Sequence, residues 1–375
     1  MFDWLSRKGE RPAPARVPFA VLDGYDGARG GVPRSYEARA RAALSDNPVA
    51  SRAVRLVAEA VGSAPLNIEG GAGVEALLAQ PNARTSGAAF LERIAAHLVL
   101  HGNAYLDSGA GTDGRAAELH VLAPERMRVV CDVRGWPDGF AYRVGGQETR
   151  LAGPSDEAAG ILHIRALSPL DEIYGQGALD AASGPIAAHN EASRWNRALL
   201  SNAARPSGAL MFEAGDGGAL SAEQFDRLRE EMDAGFSGAA RAGRPLLLEG
   251  GLKWQPLSMT PADLDFAAGQ AAAARDIALA LGVPPMLLGL PGDSTHANYM
   301  EANRALWRLT VLPLAGRITE ALSGWLATWW PEARVTVDLD RVPALAADRE
   351  KLWARVSAAD FLTADEKKRV LGLGE

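Results

Sequence analysis

Arg244-Pro-Leu-Leu-Leu-Glu-Gly-Gly-Leu-Lys-Trp-Gln-Pro-Leu-Ser258 is the first part of the stretch that decides the fold. Thr260-Pro-Ala-Asp-Leu-Asp-Phe266 and Ile277-Ala-Leu-Ala-Leu-Gly-Val-Pro-Pro285 complete it. Apolar segments on either side of two adjacent glycines are typical of two short strands joined by a turn. An alanine-rich segment that stops at glycine and proline is typical of a helix end. The stretch therefore predicts a hairpin that leads directly into a helix.

The predicted helix extends from Pro261 to Leu281. Thr260 is a suitable N-cap, proline is favoured at the first helical position, and Asp263 complements the helix dipole. Gly282 should end the helix. One face of this helix carries small side chains, so a neighbouring helix could approach it closely. This packing face contains Leu264, Ala267, Ala271, Ala274, Ala278 and Leu281.

The composition is that of a globular protein. The chain has 375 residues, of which 47% are hydrophobic and 23% charged, and its length suggests two or three structural units. No apolar run is long enough to span a bilayer, and the opening Met1-Phe-Asp-Trp-Leu lacks the features of a signal peptide. Cys131 is the single cysteine of the sequence, which fits a reducing cytoplasm.

The charge pattern disfavours tight binding to nucleic acid. The formal net charge is −7, and no block of lysine and arginine occurs outside the N-terminal arm. Proteins that bind DNA by neutralising its phosphates normally carry a basic patch. Any contact with DNA is therefore expected to be weak, transient or geometric.

The first half of the chain predicts an α+β domain that ends near residue 180. Residues 1–46 are rich in proline, glycine and arginine, which predicts an extended or poorly ordered arm. Asn47-Pro48 should begin a helix, and a second helix is predicted for residues 86–101. The strands predicted after it are Ala104–Leu106, Glu118–Leu122, Met127–Val133, Phe140–Val144 and Ile161–Ala166.

The second half is predicted to be mainly helical. Residues 185–204 have helical character but few large apolar side chains, so this helix should pack in an assembly. Residues 206–258 predict a compact unit of strand, helix and hairpin. Residues 288–298 predict a polar loop that contains glycine.

A long helix and three shorter elements should complete the chain. Asn298 and Glu301 are predicted to cap the long helix, and Pro313 should kink it. Thr363 and Glu366 have the spacing of a capping box at the start of the last helix. The other predicted elements are a strand at 335–339 and helices near 344–357 and 364–371.

Two residue pairs that could carry chemistry are better explained by capping or packing. Asp263 and Asp265 are two residues apart, so they do not share a helix face. His97 and His101 do share a face, but the glutamate of the zinc-protease pattern is missing beside them. Helix capping explains the aspartates, and core or interface packing explains the histidines.

Other candidate motifs are equally weak. Gly175-Gln-Gly177 lacks the third glycine and the βαβ unit of a dinucleotide-binding loop, so it predicts a turn. His163 lies in an apolar strand pattern and is predicted to be a hydrogen-bonded core residue. No catalytic, cofactor-binding or metal-binding residue is therefore predicted. Helical spacing predicts packing, and not base stacking, for Trp307, Trp325, Trp329 and Trp330.

Further segments, in order along residues 47–371, resemble the motifs of one family together with the opening stretch. They are Asn47 to Pro65-Leu66, Leu98-Val-Leu-His-Gly-Asn-Ala-Tyr105, Leu122-Ala-Pro-Glu-Arg-Met-Arg-Val129, Ile161-Leu-His-Ile164, Tyr174-Gly-Gln-Gly-Ala-Leu-Asp-Ala-Ala182, Asn202-Ala-Ala-Arg-Pro-Ser-Gly208 and Phe361-Leu-Thr-Ala-Asp-Glu-Lys-Lys-Arg369. This order resembles the phage portal proteins of long-tailed, siphovirus-type bacteriophages. The last motif departs from the family pattern, because Asp365 replaces the usual asparagine and Lys368 separates the acidic residue from Arg369. The chain is short for this family, and its amino-acid composition is typical of a GC-rich genome. Both features also resemble the portal of a gene transfer agent.

The resemblance implies an α+β portal-type fold that assembles as a ring, with twelve as the family's subunit number. After the arm, residues 47–184 would form the wing, and the segment 299–340 would add a kinked long helix and a returning wing strand. The remaining regions it implies are stem helices at 185–205 and 259–287, a clip at 206–258, a tunnel loop at 288–298 and a small crown at 341–375.

The resemblance also implies a non-enzymatic function: a channel at one capsid vertex for the packaging and release of double-stranded DNA. Its implied partners are the terminase large subunit, a head-tail adaptor and the major capsid protein, with no membrane and no cofactor. It places the protein in the virion, after assembly in the bacterial cytoplasm. A twelve-fold ring would carry twelve times the net charge of −7, which would let DNA slide without adhering.

Three sets of residues are candidates for the contacts of such a ring. The packing face of the predicted helix at Pro261–Leu281 would bring neighbouring stems together. Transient contacts with DNA are expected from the tunnel-loop residues Ser294, Thr295, His296 and Asn298. Docking of the partner proteins is expected from the clip residues Glu249, Lys253, Trp254 and Gln255.

Two other function classes remain open on the residues alone. One is a cytoplasmic α+β enzyme that uses a carboxylate or histidine, although the sequence offers no convergent nucleophile and base. The other is a nucleic-acid-binding module, which the acidic charge balance disfavours.

Overall fold

The computed structural model describes residues 32–151, 160–201, 208–212, 252–256, 266–291 and 296–372, together with residues 223, 226, 227 and 230. Within these ranges the helices are α1 (Tyr36–Leu44), α2 (Pro48–Gly62), α3 (Ala72–Ala79), α4 (Gly87–Leu100), α5 (Ala178–Ser201), α6 (Phe266–Ala280), α7 (His296–Leu306), α8 (Leu312–Leu326), α9 (Ala346–Ser357) and α10 (Ala364–Leu371). The strands are β1 (Leu66–Glu69), β2 (Asn103–Ala110), β3 (Ala116–Leu122), β4 (Met127–Cys131), β5 (Pro137–Val144), β6 (Gln147–Leu151), β7 (Leu162–Arg165), β8 (Gly208–Phe212), β9 (Leu252–Pro256) and β10 (Arg334–Val337).

Helices α2 and α4 begin where the capping residues predict. The side chain of Asn47 accepts a hydrogen bond from the backbone of Ala50 at 2.9 Å, and Pro48 occupies the first turn of α2. Ser86 caps α4 in the same manner, accepting from Ala89 at 3.4 Å. Both helices present apolar stripes, and they pack on each other through these stripes. The two predicted helices of this region are therefore confirmed.

The strands form antiparallel sheets. In the first, β2 lies between β3 and β7, so that Tyr105 pairs with Leu122 on one side and His163 on the other. In the second, β5 lies between β4 and β6. Strands β1 and β10 pair with Leu66 opposite Val337, which joins the two ends of the described chain. The α+β class of the first half is confirmed.

Most of the core lies between helices and the first sheet. Phe90 and Ile94 of α4 meet Ile318 and Leu322 of α8 in one continuous apolar cluster with α2. The predicted packing role of the tryptophans is confirmed, because Trp307 and Trp325 are buried in this cluster and Trp329 and Trp330 pack against it. A second cluster fills the space beside the second sheet, and its buried members are Tyr105, Met127, Val129, Phe140 and Ile161.

Two elements in this region were not predicted. Helix α3 has only eight residues and follows Gly70 and Gly71, which are strong signals for a turn. Strand β6 is almost entirely exposed, so it lacks the alternation of apolar and polar residues that marks a strand. The available signal was Gly145-Gly146 directly before it, since two adjacent glycines are typical of a hairpin turn.

The prediction of an extended arm is wrong for residues 36–44, which form α1. Ser35 caps this helix by accepting from the backbone of Ala38 at 3.2 Å. Its inner face is built from alanine, with Ala43 buried, and such a face gives little periodic signal in the sequence. An ion pair between Arg39 and Asp180 connects α1 to α5.

The first long helix begins earlier than predicted. Helix α5 starts at Ala178, seven residues before Pro185, so the proline lies inside the helix. Leu179 and Ala182, from the added segment, are fully buried against the main core. Tertiary packing therefore continues the helix across a residue that normally begins one.

The second long helix contains a π-helical turn at Trp307–Val311, between α7 and α8. The turn lies directly before Pro313, whose missing N–H interrupts the regular ladder of hydrogen bonds. A π-turn is thus the form that the predicted kink takes. The predicted cap at Asn298 is wrong, because α7 already begins at His296 and Asn298 falls within its first turn.

The last elements agree with the prediction. Thr363 and Glu366 form the capping box of α10, with the Glu366 carboxylate accepting from the Thr363 backbone at 2.8 Å. Arg304 and Arg308 pair with Asp348 of α9, which attaches the C-terminal helices to the long helix. Among the helices that the structure describes, none combines the length and the apolar character needed to cross a membrane.

Candidate functional site

Helices α5 and α6 pack side by side and form the first part of the candidate site. Gln270 of α6 donates a hydrogen bond to the Ser193 hydroxyl of α5 at 2.9 Å. Ala274 and Ala278 are buried within the chain, with 3% and 0% of their surface exposed. Small side chains at these two positions let α6 lie close to its own neighbours, as expected for alanine.

The assignment of the small face to contacts between copies stays a prediction for Ala267 and Ala271, because two other members of that face are buried within the chain. Ala274 and Ala278 serve packing within one chain, and Ala271 is half-buried. Ala267 lies in α6, and Leu264 lies outside the described residues. Sequence periodicity found the buried face, but it could not distinguish a partner in the same chain from one in another chain.

The opposite face of α6 is exposed and was not predicted as a site. It carries Ala268, Ala272 and, near the C-terminal end, Leu279. Leu279 is 79% exposed although it is a large apolar residue. The available signal was that α6 is apolar on more than one side, which is typical of a helix covered on more than one side.

Helix α5 is fixed to the N-terminal helices by buried amides. Asn47 Nδ2 donates to Asn190 Oδ1 at 2.9 Å, and Asn190 Nδ2 donates to the carbonyl oxygen of Ala42 at 3.0 Å. His189 Nδ1 lies 3.2 Å from Asn47 Nδ2. Asn190 therefore serves the packing of its own chain.

Strands β8 and β9 form an antiparallel pair and lie between α5 and α6 in the chain. The first strand of the predicted hairpin, before Gly250, lies outside the described residues. Lys253, Trp254 and Gln255 lie in β9, where Trp254 is opposite Leu210 of β8. Glu249 and the predicted Gly250-Gly251 turn lie outside the described residues. Three of the four candidate docking residues thus occur in consecutive positions of one strand.

The connection from α6 to α7 contains the predicted polar loop. Ser294 and Thr295 lie outside the described residues, whereas His296 opens α7 and Asn298 is exposed in its first turn. The Thr310 hydroxyl of the π-turn donates to the Gly282 carbonyl oxygen at 2.6 Å. This bond fixes the C-terminal end of α6 against the π-turn that follows α7.

Asn103 organises a buried junction between two of the sequence motifs. Its Oδ1 accepts from the Gly175 backbone N–H at 2.8 Å, and its Nδ2 donates to the Gly175 carbonyl oxygen at 2.8 Å. His163 Nε2 lies 2.9 Å from the same Oδ1. The prediction that His163 is a hydrogen-bonded core residue is confirmed.

The glycines of this junction are required by close backbone approach. A Cβ atom at Gly175 would lie 2.2 Å from the Gly102 carbonyl oxygen, and one at Gly177 would lie 2.2 Å from that of Leu100. Gly102 also has a φ of 80°, which disfavours any side chain. The Gly175-Gln-Gly177 segment is therefore a packing segment, and no phosphate-binding role is needed to explain its glycines.

Burial explains the electrostatics of the histidines near this junction. Burial, assisted by Arg165 and His101, lowers the pKa of His163 to about 3. Burial, assisted by Arg93 and His101, lowers the pKa of His97 to about 4. The ring of His101 makes an edge contact with Tyr36 of α1, with centroids 4.7 Å apart. These contacts favour the packing interpretation of the His97 and His101 pair.

Comparison with known proteins identifies the fold. The family model described as phage portal protein matches residues 48–372. An uncharacterised protein of Rickettsia bellii is 38% identical over 341 residues, which cover 88% of each chain. The probable portal protein of Streptomyces phage phiC31 is 27% identical over 290 residues, covering 71% of this chain and 60% of the relative.

Solved structures agree with the family match. A chain in the neck of a native gene transfer agent particle, computed with C12 symmetry, is 46% identical and has a TM-score of 0.71. The alignment covers 94% of this chain and 97% of that one. A chain in the virion of a native gene transfer agent particle has the same identity and TM-score. The chain described here belongs to the phage portal protein family.

Proposed function

We propose that copies of this chain close into a ring at one vertex of a capsid and form the channel through which double-stranded DNA is packaged and released. The observation that carries the proposal is the likeness, across 94% of this chain, to a chain in a particle neck computed with C12 symmetry. The role is structural rather than enzymatic, as in the portal family.

The dimensions of the helices agree with such a channel. Helix α5 has 24 residues, which corresponds to about 36 Å at the rise of an α-helix. Twelve helices spaced about 8–10 Å apart define a circle roughly 31–38 Å across. Subtracting about 10–12 Å for the helix bodies leaves an opening close to the width of a DNA duplex. The α5 and α6 pair is therefore proposed as the stem.

Three further assignments belong to the same proposal. The β8–β9 strand pair, with Lys253, Trp254 and Gln255, would lie in the clip and dock the terminase large subunit and then a head-tail adaptor. The loop before α7 would be the tunnel loop, which meets DNA in transit. The wing would contact the major capsid protein in the virion, after assembly in the bacterial cytoplasm.

Electron microscopy of the purified full-length chain tests the ring. We expect hollow rings whose class averages show twelve subunits, since a ring of heterologous contacts closes at a fixed number. Compact single molecules at all protein concentrations would contradict the proposal. A different subunit number would correct only the count.

The tunnel-loop assignment has its own test. Deleting residues 292–295 leaves the helices α6 and α7 whole, so ring assembly should be unchanged. The amount of DNA per particle should fall, because the loop would no longer meet DNA in transit. A variant in which a Gly-Ser linker of equal length replaces the same four residues keeps the loop length. It serves as the matched control. Normal DNA content in the deletion variant would reject this role.

A further inference from the structure

Two large apolar side chains stand next to each other on the outside of the molecule, uncovered by the described chain. Leu279 of α6 is 79% exposed and Leu309 of the π-turn is 77% exposed. Both line one hollow of about 530 Å³, together with Gly282 and Thr310. Leu309 also lines an adjoining hollow of about 530 Å³ that includes the exposed Leu167. We call Leu167, Leu279 and Leu309 the leucine surface.

The fold holds these side chains outward. In α6, Ile277 and Ala278 are fully buried, which leaves Leu279 on the opposite side of the helix. In the π-turn, Trp307 and Val311 are buried in the core and Leu309 faces away from them. The hydrogen bond from Thr310 to Gly282 connects the two elements at 2.6 Å. The leucine surface is therefore a fixed feature of the packed molecule.

The composition of the surroundings is that of a protein interface. Burying one leucine side chain contributes roughly 1.5–3 kcal/mol, so leaving several exposed together is unfavourable in water. Charged residues surround the apolar centre: Arg275 and Asp276 line the first hollow and Arg317 the second. An apolar centre with a polar rim is typical of protein–protein contacts. DNA is a poor occupant, because its accessible surface is dominated by phosphates that seek cationic partners.

We infer that the neighbouring copy of the same chain covers the leucine surface in the assembled ring. This inference rests on the proposed function, which gives every copy two neighbours of the same sequence. Contacts in a closed ring are heterologous, so the leucine surface would meet a different face of the next copy. Helix α6 packs on α5 with its other side. It would therefore contact both its own copy and the neighbouring copy.

The decisive variant replaces both leucines with lysine in the full-length chain, Leu279→Lys with Leu309→Lys. Lysine has nearly the helix propensity of leucine, and both side chains point outward, so folding should be preserved. Loss of apolar anchors at an interface typically weakens association by about tenfold or more. We expect the ring fraction measured by mass photometry to fall by at least about this factor, with an unchanged far-ultraviolet dichroism spectrum.

Val133→Lys is the matched control. Val133 is fully exposed on the turn between β4 and β5 and lies outside the leucine surface. It places one lysine at an exposed apolar position, and its ring fraction should equal that of the wild type. Loss of rings in this control as well would overturn the assignment to the leucine surface.

A labelling experiment avoids dependence on a disruptive variant. Cys131 is the single cysteine, so Cys131→Ser gives a background without thiols. In that background, the thiol introduced by Leu309→Cys should react with a maleimide at least about tenfold more slowly in rings than in dissociated chains, as expected for a buried interface centre. The thiol introduced by Val133→Cys should react equally in both forms.

The outcomes separate this inference from the function on which it rests. Intact rings in the double lysine variant, or equal labelling at position 309 in rings and dissociated chains, would overturn the inference and leave the ring in place. A wild-type chain that forms no ring at any concentration would overturn the proposed function and the inference with it.

Discussion

Asn103 hydrogen-bonds both backbone groups of Gly175, donating to the carbonyl oxygen at 2.8 Å and accepting from the N–H at 2.8 Å. Asn103 is 1% exposed and begins β2, whereas Gly175 lies just before α5. A single side chain thus fixes the start of the proposed stem to the first sheet. The two motifs that contain these residues are distant in sequence and adjacent in space.

Asn103→Ala should destabilise the dissociated chain strongly. The substitution leaves the backbone groups of Gly175 and the ring of His163 without their partner, and each unsatisfied buried group costs about 1–3 kcal/mol. We expect the free energy of unfolding in urea to fall by about 3 kcal/mol or more. Asn67→Ala, at an exposed position of β1, should change it by less than about 0.5 kcal/mol. Similar values for the two variants would show that the junction contributes little.

Gly177→Ala and Gly184→Ala should have opposite effects on stability. A Cβ at Gly177 would collide with the Leu100 carbonyl oxygen at 2.2 Å, whereas a Cβ at Gly184 would have no atom within 4 Å. Gly184 lies on the exposed side of α5, so alanine there should stabilise the helix by about 0.5–1 kcal/mol. Thermal unfolding of the two variants measures the contrast. A Gly177→Ala chain as stable as the wild type would contradict the close approach of the two backbones.

Stability should fall as the pH decreases below about 6.5, the pKa of a histidine in the unfolded chain. Burial lowers the pKa of His163 to about 3 and that of His97 to about 4, so both are neutral in the folded protein at pH 5. At each of these two positions the unfolded chain binds a proton that the folded chain does not, which costs about 1.4 kcal/mol of stability per pH unit.

Urea unfolding at pH 7, 6 and 5 measures this dependence. His163→Gln should reduce the slope between pH 6 and 5, because one of the histidines with a lowered pKa is no longer present. A wild-type chain with equal stability at pH 7 and pH 5 would rule out buried neutral histidines.

Ala278→Leu should destabilise the single chain, unlike Ala272→Leu. Ala278 is fully buried where α6 packs within the protomer, and three added carbon atoms in such a site typically cost about 1–3 kcal/mol. Ala272 is on the exposed side of α6 and has room for a larger side chain. The free energies of unfolding of the two dissociated variants give the comparison. Equal values would mean that α6 does not pack inside the protomer as described.

Local signals were sufficient for the elements that begin with a clear cap. Asn47, Ser86 and Thr363 each accept a backbone hydrogen bond at the start of the predicted helix. These bonds involve residues three apart, so the sequence contains all the information they need. The order of the family motifs predicted the portal fold for the same reason, since each motif is a short local pattern.

The features that could not be predicted depend on contacts between residues that are distant in the sequence. Nothing near Tyr36 predicts that an alanine-faced helix there would pack on α5, because the contact depends on residues more than a hundred positions away. The same limit applied to Ala274 and Ala278, whose pattern identifies a contact face without identifying the partner. The exposure of Leu309 depends on a π-turn. The position of Pro313 was the sequence feature that indicated an irregular helix there.

The pairing of β1 with β10 has a consequence for synthesis of the protein. A ribosome releases the N-terminal end first, so Leu66 emerges long before its partner Val337 has been translated. Helix α2 packs on α4, but the apolar cluster to which both belong also contains Trp307, Ile318 and Leu322, which are translated much later. A nascent polypeptide therefore acquires its final shape only when almost all of it has been made, which would keep unfinished copies out of a growing particle.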